Sequence, residues 1–398
     1  MTQKAFKYRF YPTPEQEQLL RKTLGCTRLV YNRALVARTQ CWYSRQERIG
    51  YKQTSAMLTD WKKEPELAFL NEVSCVPLQQ GLRHLQQAFS NFFAGRAKYP
   101  NFKKKRNGGS AEFTKSAFRY KDGNVSLAKC SEPLPIRWSR KLPNGVIPST
   151  VTVSLTPSGR WHVSLLVDVE IKPLPKKAKN VGIDLGITNL ITTSDGDKIA
   201  NPKTFKAKYQ RLRKAQKALS RKQKGSCNRE KARLNVARIH AQIVDARTDF
   251  LPFGTLREQK LTTQLIRDNQ VIVVEDLAVK NMVKNHKLAN AISDASWSEM
   301  VRQLKYKSEW YGRELVKIDR WFPSSKRCSH CGHIVEKMPL NIRQWECPEC
   351  SAEHDRDINA SVNILAAGLA VSVCGATVRP EQSKSARAGA MKQKPKLC

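Results

Sequence analysis

The pattern of apolar and polar positions predicts a strand followed by helices in the first part of the chain. Residues 4–11 alternate aromatic with basic side chains, as in a strand that buries one face. Thr13 and Pro14 then provide a capping hydroxyl and a first-turn proline, which are favoured at the start of a helix. Apolar residues recur at helical spacing over 54–62 and 77–93, so further helices are expected there.

Short alternating segments return between residues 118 and 172. The stretches 151–155 and 161–167 each alternate apolar with polar positions, and the Pro-Ser-Gly sequence at 157–159 is typical of a hairpin turn. A lone strand before the helices and a group of strands after them predict one β domain that carries a helical insertion.

A second domain is expected to begin near residue 181, with the sequence VGIDLGITNLITTS. Gly182, Asp184 and Gly186 share one face of this predicted strand, opposite its aliphatic side chains. The glycines on both sides of Asp184 predict that its carboxylate is open to a large ligand. The alternative is a buried Asp184 that is paired with an arginine.

Another carboxylate stands at the end of a strand that is apolar on both faces. Residues 271–275 read VIVVE, which is typical of a central strand of an α/β sheet, and Asp276 follows. Ligands of such sheets bind at the carboxyl ends of the strands, so Glu275 is a candidate site residue. An amphipathic helix over 295–311 and a strand over 314–322 are predicted next.

Two Cys-x-x-Cys pairs predict a zinc site. Their spacing allows four thiolates to surround one Zn²⁺ tetrahedrally, with Gly332 and Pro348 as turn-forming residues. His330 and His333 flank the pairs as weaker alternative ligands. The four predicted ligands are Cys328, Cys331, Cys347 and Cys350.

Asp357 opens a predicted helix just beyond the cysteine pairs. An aspartate in this position is commonly only a helix cap. Together with Asp184 and Glu275, it suits a two-metal phosphodiesterase, in which carboxylates hold two Mg²⁺ or Mn²⁺ ions that activate water and stabilise the leaving oxygen. This chemistry requires no histidine or cysteine nucleophile.

The chain has an excess of positive charge that implies a polyanionic partner. It contains 71 lysines and arginines against 34 aspartates and glutamates, a formal net charge of +37, and nucleic acid is the commonest polyanion that proteins bind. Residues 206–247 form a predicted helical hairpin whose charges are almost all basic. Four consecutive basic residues at 103–106 predict contacts with phosphates rather than with bases.

Cysteine use and hydropathy predict a soluble protein of the cytoplasm. Apart from the two pairs, the cysteines are scattered without the spacing of a disulfide framework, as expected in a reducing compartment. The N-terminus leads directly into a charged strand, and no run reaches the roughly 18 apolar residues of a membrane span.

Seven motifs, spread over the chain to about residue 375, carry a family resemblance. They are YRFYPTPEQ, RLVYN, VGIDLGITN, VVED, FPSSKRCSHCG, CPEC and HDRDINASVNI. In these motifs the sequence resembles the TnpB proteins of bacterial insertion sequences, relatives of the ancestors of type V CRISPR effectors. The resemblance implies an RNA-guided DNA endonuclease that binds a guide RNA and cleaves target DNA next to a short adjacent motif. It also implies a monomeric protein within a ribonucleoprotein.

The resemblance implies an α/β and β multidomain architecture. In that architecture an RNase H-like (RuvC) nuclease domain would carry a zinc ribbon, and a wedge-type β-barrel would carry a helical recognition insert. The implied segments are the barrel at 1–11 and 118–172, the insert at 12–117, the nuclease domain at 180–320 and 351–372, the zinc ribbon at 321–350 and a disordered tail at 379–398.

The resemblance also implies roles for single residues. Asp184, Glu275 and Asp357 would be the catalytic carboxylates that bind Mg²⁺ or Mn²⁺, and the four paired cysteines would hold a structural Zn²⁺. Asp355, which precedes the Asp-x-Asn element, ranks below them as a ligand.

One segment departs from the family pattern, and two alternative functions stay open. Residues 251–259, within LPFGTLREQK, interrupt a helical pattern where a shorter join is expected. One alternative is a nuclease-inactive, RNA-guided DNA-binding regulator, which would lack an acid. The other is a DNA-joining transposase, which would use a similar set of carboxylates.

Overall fold

The chain forms two compact units. The first comprises Met1–Pro175, Pro202–Thr263 and Glu309–Gly312, and the second comprises Lys176–Asn201, Gln264–Ser308 and Arg313–Cys398. The domain boundaries given above remain predictions, and the 251–259 insertion and the 379–398 tail lie outside the described residues. The computed structural model describes residues 2–201, 204–250, 261–286, 288–339 and 341–373.

The first unit combines antiparallel strands with helices. Its strands are β1 (Thr2–Phe10), β2 (Gly109–Thr114), β3 (Phe118–Lys121), β4 (Asn124–Leu127), β5 (Ile136–Arg137), β6 (Thr150–Leu155) and β7 (Trp161–Val169). Its helices are α1 (Pro14–Arg45), α2 (Tyr51–Trp61), α3 (Cys75–Phe93), α4 (Thr204–Ser220) and α5 (Cys227–Phe250), and short 3₁₀ turns span Pro65–Asn71, Lys105–Asn107 and Lys115–Ala117.

Strand β1 lies inside a five-stranded antiparallel sheet of order β2-β6-β7-β1-β5. It pairs with β7 from Thr2 opposite Val169 to Arg9 opposite His162, so strands on either side of the helical segment share one sheet, as predicted. Within the described residues, β2 and β5 at the two ends do not pair with each other, and the sheet is open. The closed barrel implied by the resemblance is therefore not confirmed.

The predicted helices of the first unit are present. Thr13 caps α1 in a capping box with Gln16, and α1, α2 and α3 share a core that includes Leu35, Leu58 and Leu82. The predicted basic hairpin is formed by α4 and α5. The two helices pack together through a small apolar cluster. Its buried residues are Leu212, Ala215, Ile239 and Ile243. None of the helices in the described ranges is long and apolar enough to cross a membrane.

The second unit is an α/β structure built on a mixed sheet. The sheet has the order β10-β9-β8-β11-β12, in which β8, β11 and β12 are parallel and β9 and β10 are antiparallel to their neighbours. Its strands are β8 (Asn180–Leu185), β9 (Asn189–Thr193), β10 (Lys198–Ala200), β11 (Val271–Glu275) and β12 (Glu314–Ile318), and a separate two-stranded ribbon contains β13 (Gln344–Glu346) and β14 (Glu353–Asp355). The helices that lie wholly or mostly in this unit are α6 (Leu261–Asp268), α7 (Val279–Met282), α8 (Ala289–Ala295), α9 (Trp297–Tyr311) and α10 (Arg356–Val373).

Helix α10 packs closely across β8, β11 and β12. A Cβ atom on Gly182 would lie 2.1 Å from the carbonyl oxygen of Ser361, and one on Gly368 would lie 2.3 Å from Cγ1 of Val273. Both distances are too short for any side chain, so glycine at these two positions permits the helix to reach the sheet.

The two glycines beside Asp184 therefore have a different role from the one expected. The space next to Gly182 is filled by α10 rather than left for a ligand. A Cβ on Gly186 would lie 2.6 Å from the carbonyl oxygen of Asn189, which indicates a tight turn between β8 and β9. Gly182 therefore does not create the predicted opening at Asp184, whereas Asp184 and Gly186 do line a cavity.

Candidate active site

Two of the predicted carboxylates lie at the same edge of the second sheet. Strands β8 and β11 run parallel, with Ile183 opposite Val274. The next residues along these strands, Asp184 and Glu275, are therefore neighbours at the carboxyl end of the sheet, and both are half-buried.

The third carboxylate reaches the same place from a helix. Asp357 lies in the first turn of α10 and lines, together with Asp184 and Glu275, a cavity of about 640 Å³. The structure thus brings together three acids that are far apart in sequence. Across the described residues the four cysteines are the only group of three or more histidine, cysteine, aspartate or glutamate side chains arranged closely enough to hold a metal ion, so the three carboxylates alone do not form a preassembled site.

Burial and mutual repulsion act on the carboxyl group of Asp184. Loss of solvent, followed by the negative charges of Glu275 and Asp357, raises its pKa to about 7. No ion pair joins Asp184 to an arginine within the described part of the chain, which contradicts the alternative of a buried Asp–Arg pair. The negative charges of the three acids therefore repel one another at this cavity, and such a set of oxygen donors fits hard divalent cations.

The structure distinguishes Glu275 from its neighbour Asp276. Burial raises the pKa of Glu275, and a hydrogen bond from Ser324 Oγ at 2.6 Å opposes that effect. Asp276 instead forms ion pairs with Lys317 at 3.2 Å and Arg320 at 2.8 Å, and the hydrogen bond from Lys317 holds its pKa below the usual range. Only Glu275 of the two lines the cavity.

The helix cap of α10 is Asp355 and not Asp357. Oδ1 of Asp355 accepts hydrogen bonds from the backbone N–H groups of Asp357 and Ile358, both at 3.1 Å. Asp357 accepts a hydrogen bond at 3.0 Å from Arg343. The alternative in which Asp357 serves only as a cap is therefore wrong.

Basic and aromatic side chains also line this cavity. Lys326, Arg343 and Arg356 contribute positive charge, and the Arg356 guanidinium is fixed by a 2.8 Å hydrogen bond to the carbonyl oxygen of Pro339. Trp321 is 85% exposed and lines the same cavity. The cavity thus combines carboxylates with groups suited to phosphates and nucleobases.

The four predicted cysteines form a compact cluster whose sulfur atoms all lie within 4.8 Å of one another. Cys328 Sγ lies 3.7 Å from Cys350 Sγ, and Cys331 Sγ lies 3.6 Å from Cys347 Sγ. A tetrahedral zinc site with Zn–S bonds of about 2.3 Å has sulfur–sulfur edges of roughly 3.8 Å. The donor set and its spacing therefore suit zinc.

Each cysteine pair is held by a similar backbone turn. The residue four positions after the first cysteine of each pair has a left-handed backbone, Gly332 with φ of 82° and Ser351 with φ of 53°. Their N–H groups donate to the carbonyl oxygens of Cys328 at 3.0 Å and Cys347 at 2.9 Å. Sequence reasoning identified Gly332 but assigned the turn of the second pair to Pro348, because a serine gives no sign of this conformation.

Sequence reasoning missed two polar side chains near these sites. His354 Nε2 lies 3.0 Å from Cys328 Sγ, whereas neither His330 nor His333 belongs to the cluster in the described chain. Ser324 binds Glu275. The only sequence signal was that both residues lie inside motifs of the family resemblance, in HDRDINASVNI and FPSSKRCSHCG.

Three protein-family models match this chain. They are described as "Probable transposase" over residues 162–286, "Cas12f1-like, TNB domain" over 297–364 and "Helix-turn-helix domain" over 1–47. The last segment consists here of strand β1 and the single 32-residue helix α1, together with the start of a loop. The second match covers the cysteine cluster and the start of α10.

Curated relatives match along nearly the full chain. A protein of Streptomyces pristinaespiralis named "Putative RNA-guided DNA endonuclease" is 58% identical over 395 residues, which cover 98% of this chain and 96% of the relative. "Putative RNA-guided DNA endonuclease InsQ" of Escherichia coli K12 is 33% identical, over 94% of each chain.

The fold is also found in a solved structure. A chain of the "Cryo-EM structure of the Cas12f1-sgRNA-target DNA complex" superposes with a TM-score of 0.52 at 14% identity, over 88% of this chain and 83% of that one. This likeness concerns the fold alone. Full-length identity to the curated relatives, together with the matching family models, shows that the chain belongs to the TnpB family of insertion-sequence proteins.

Proposed function

We propose that this chain is an RNA-guided DNA endonuclease that cleaves DNA complementary to its guide RNA beside a short adjacent motif. The observation that carries the proposal is the meeting of Asp184, Glu275 and Asp357 at one cavity. The names of the full-length relatives support it. The mixed sheet covered by α10 would be the RuvC-like, RNase H-like nuclease fold.

In this proposal the three carboxylates hold two divalent cations and act on a phosphodiester. When bound, Mg²⁺ or Mn²⁺ ions supply a water nucleophile of lowered pKa and neutralise charge on the leaving oxygen. Asp184 and Glu275 present their oxygens from adjacent strand ends, and Asp357 presents its oxygens from the first turn of α10. The carboxyl group of Asp184, whose pKa is raised to about 7, would give up its proton when it holds a cation.

Neighbouring side chains would orient the DNA strand. Arg343 and Lys326 line the cavity beside the acids and would contact the non-bridging oxygens of the phosphate groups. The exposed indole of Trp321 offers a face on which a base of single-stranded DNA can stack. These contacts bind backbone and any base alike, so they position the strand without selecting its sequence.

The cysteine cluster would hold one structural Zn²⁺. Four thiolates complete a tetrahedral site and leave no coordination position for substrate. Strand β14 and helix α10 follow directly after Cys350, so the metal would fix the segment that carries Asp357.

The first unit has a separate cavity that suits a nucleic-acid backbone. This cavity has a volume of about 720 Å³, and among the described residues Glu230 is the single acid that lines it. The basic residues that line it are Arg21, Lys22, Arg28, Lys105, Arg106, Lys231 and Arg233. It would bind guide RNA within the wedge and recognition part of a monomeric ribonucleoprotein in the bacterial cytoplasm.

Base pairing with a guide RNA can provide sequence specificity with few protein–base contacts. A long site read by side chains would need many bidentate contacts of about 1–3 kcal/mol each, whereas a guide RNA supplies this discrimination by pairing. RNA-free protein should therefore bind DNA weakly and with a strong salt dependence.

The test is a guide-reprogramming experiment. The protein is expressed with its genomic flanking sequence, the copurifying RNA is sequenced, and the complex is reassembled from RNase-treated protein and two guides with different target segments. Plasmids that carry each target next to a randomised motif are then incubated with Mg²⁺. We expect double-strand cleavage only at the target that matches the guide, and none with Asp184→Ala at unchanged DNA affinity.

Two outcomes would overturn the proposal. Cleavage and joining at one fixed sequence by RNase-treated protein would indicate a transposase. Guide-dependent DNA binding by wild-type protein without cleavage under any divalent cation would indicate an RNA-guided regulator.

A further inference from the structure

Glu275 is held in place by a residue from a different segment of the chain. Ser324 lies in the loop between β12 and the first cysteine pair, is 7% exposed, and donates a 2.6 Å hydrogen bond to Oε1 of Glu275. A carboxylate at a strand end would otherwise be free to rotate. The hydroxyl thus restricts Glu275 from the loop that leads to Cys328.

Two asparagines fasten that loop to α10. Asn363 Nδ2 donates to the carbonyl oxygens of Ser324 at 2.9 Å and Arg327 at 2.6 Å. Asn359 Nδ2 donates to the Arg327 oxygen at 2.7 Å, and its Oδ1 accepts from the N–H of Ser329 at 2.9 Å. The asparagines are one turn apart on the same face of the helix, so together they clamp the backbone around Cys328.

The burial of both amides indicates that hydrogen bonding is their main role. Asn359 is 2% exposed and Asn363 is 5% exposed. Burying an amide side chain costs free energy unless its donors and acceptors form hydrogen bonds. If these positions served only to fill space, an apolar residue of similar volume would suffice. The loop backbone supplies partners for both side chains, which leaves its position defined by α10.

We propose that Ser324, Asn359 and Asn363 are positioning residues that link the cysteine cluster to the cation-binding carboxylates. The loop leads into Cys328, and Ser324 of this loop binds Glu275. Helix α10, which binds the loop through Asn359, carries Asp357 in its first turn. The three residues therefore fix the separation of Glu275 from Asp357 and connect it to the cysteine turn. This inference rests on the proposed nuclease function.

The first test compares two adjacent serines in the full protein–guide complex. Ser324→Ala removes the hydroxyl that binds Glu275. Ser325→Ala removes one that makes no side-chain hydrogen bond within the described residues, and Ser324→Thr keeps the donor. Mn²⁺ binding is measured by electron paramagnetic resonance, half-maximal Mn²⁺ is measured in the cleavage assay, and zinc content is measured by elemental analysis.

We expect Ser324→Ala to weaken Mn²⁺ binding and raise half-maximal Mn²⁺ about tenfold, within the range for residues that orient a metal ligand. Zinc content and guide binding should stay at the wild-type level. Ser324→Thr should restore the Mn²⁺ response, and Ser325→Ala, which alters the same cavity without touching a carboxylate hydrogen bond, should keep wild-type Mn²⁺ binding. A wild-type Mn²⁺ response in Ser324→Ala would overturn the proposal.

A double-variant comparison tests the link through the helix. Asn363→Ala should shift the Mn²⁺ response in the same direction, and Ser324→Ala combined with it should add little, because both changes release the same carboxylate. Fully additive effects would contradict the link. If wild-type protein binds Mn²⁺ but does not cleave guide-matched DNA, the nuclease proposal fails while the Mn²⁺-binding comparison still decides the role of Ser324.

Discussion

Asp355 and Asp357 are two residues apart, and the first binds the backbone of the second. Oδ1 of Asp355 accepts the N–H of Asp357 at 3.1 Å, and Oδ2 accepts from Lys198 Nζ at 2.6 Å. Burial opposes ionisation of Asp355, but the hydrogen bonds from Lys198 and from the backbone of Ile358 and Asp357, together with the charge of Lys198, outweigh burial and keep the pKa of Asp355 below its usual range. Both oxygens of Asp355 are thus engaged, and Asp357 is the acid of this pair that lines the cavity.

Because Asp355 caps the helix and Asp357 lines the cavity, alanine substitutions at the two positions should affect different properties. Asp357→Ala should reduce cleavage by more than the roughly 10–100-fold typical of an outer-shell partner, with little loss of stability. Asp355→Ala should lower the free energy of unfolding by about 1 kcal/mol, as for a lost helix cap, and keep most of the cleavage rate. Urea denaturation and plasmid cleavage measure the two effects, and equal loss of cleavage in both variants would contradict the assignment.

Substitutions of the adjacent residues Glu275 and Asp276 test which acid at the end of β11 serves cleavage. Glu275→Gln should abolish cleavage, because Glu275 lines the cavity with Asp184. Asp276→Asn should leave cleavage near the wild-type rate and cost at most about 1 kcal/mol, since its ion pairs with Lys317 and Arg320 are solvent-exposed. Cleavage time courses with guide and Mg²⁺ decide between them, and the reverse result would mean that Asp276 is the ligand.

The raised pKa of Asp184 predicts how stability depends on pH in Mg²⁺-free protein. The folded state keeps a proton up to about pH 7, whereas the unfolded state releases it near pH 4. Folding therefore binds a proton, and stability falls as the pH rises towards 7. Between pH 5.5 and 8 the wild type should lose on the order of 1–2 kcal/mol relative to Asp184→Asn.

Urea denaturation of both proteins at pH 5.5 and pH 8, in buffer free of Mg²⁺, measures this difference. Addition of Mg²⁺ at pH 8 should raise the melting temperature of the wild type and not that of Asp184→Asn. A constant difference between the two proteins across this pH range would show that Asp184 titrates normally.

The close approach of α10 to β8 predicts a sharp contrast between two glycines. Gly182→Ala would place a Cβ 2.1 Å from the Ser361 oxygen and should destabilise the protein by about 1–3 kcal/mol or more, as for overpacking. Gly25 lies within α1, and a Cβ added there would have open space around it to 4 Å, beyond the atoms of its own helix backbone. Gly25→Ala should therefore be neutral or add up to about 1 kcal/mol. Thermal denaturation of both variants provides the comparison, and a neutral Gly182→Ala would contradict the packing.

Periodicity and spacing identified the elements that carry a strong local signal. The alternation around Phe6 and Tyr8 predicted strand β1, and the apolar run before Glu275 predicted a central strand. The spacing of the cysteine pairs predicted a cluster that the structure contains. Each of these features is determined by residues close in sequence, so the pattern alone is sufficient.

Features that depend on contacts between distant segments were not predictable in this way. Which of Asp355 and Asp357 caps the helix depends on the residue at which α10 begins, and sequence patterns do not define this position so finely. Position 182 must be glycine because Ser361 packs against it, and Glu275 accepts a hydrogen bond from Ser324. Ser361 and Ser324 are both distant in sequence from the residues that they contact. Whether the first sheet closes also depends on strand stagger, which alternation does not specify.

The packing of α10 on the sheet has a consequence for how the protein is made. The ribosome delivers β8 and β11 long before Ser361 reaches its place against Gly182, so until then one face of the nascent sheet lacks its cover. The helix that supplies this cover also brings Asp357, the last carboxylate of the three. The covered sheet and the full set of three carboxylates are therefore completed together, when α10 is synthesised. A chain that ends before Asp357 lacks both the cover of the sheet and the third carboxylate.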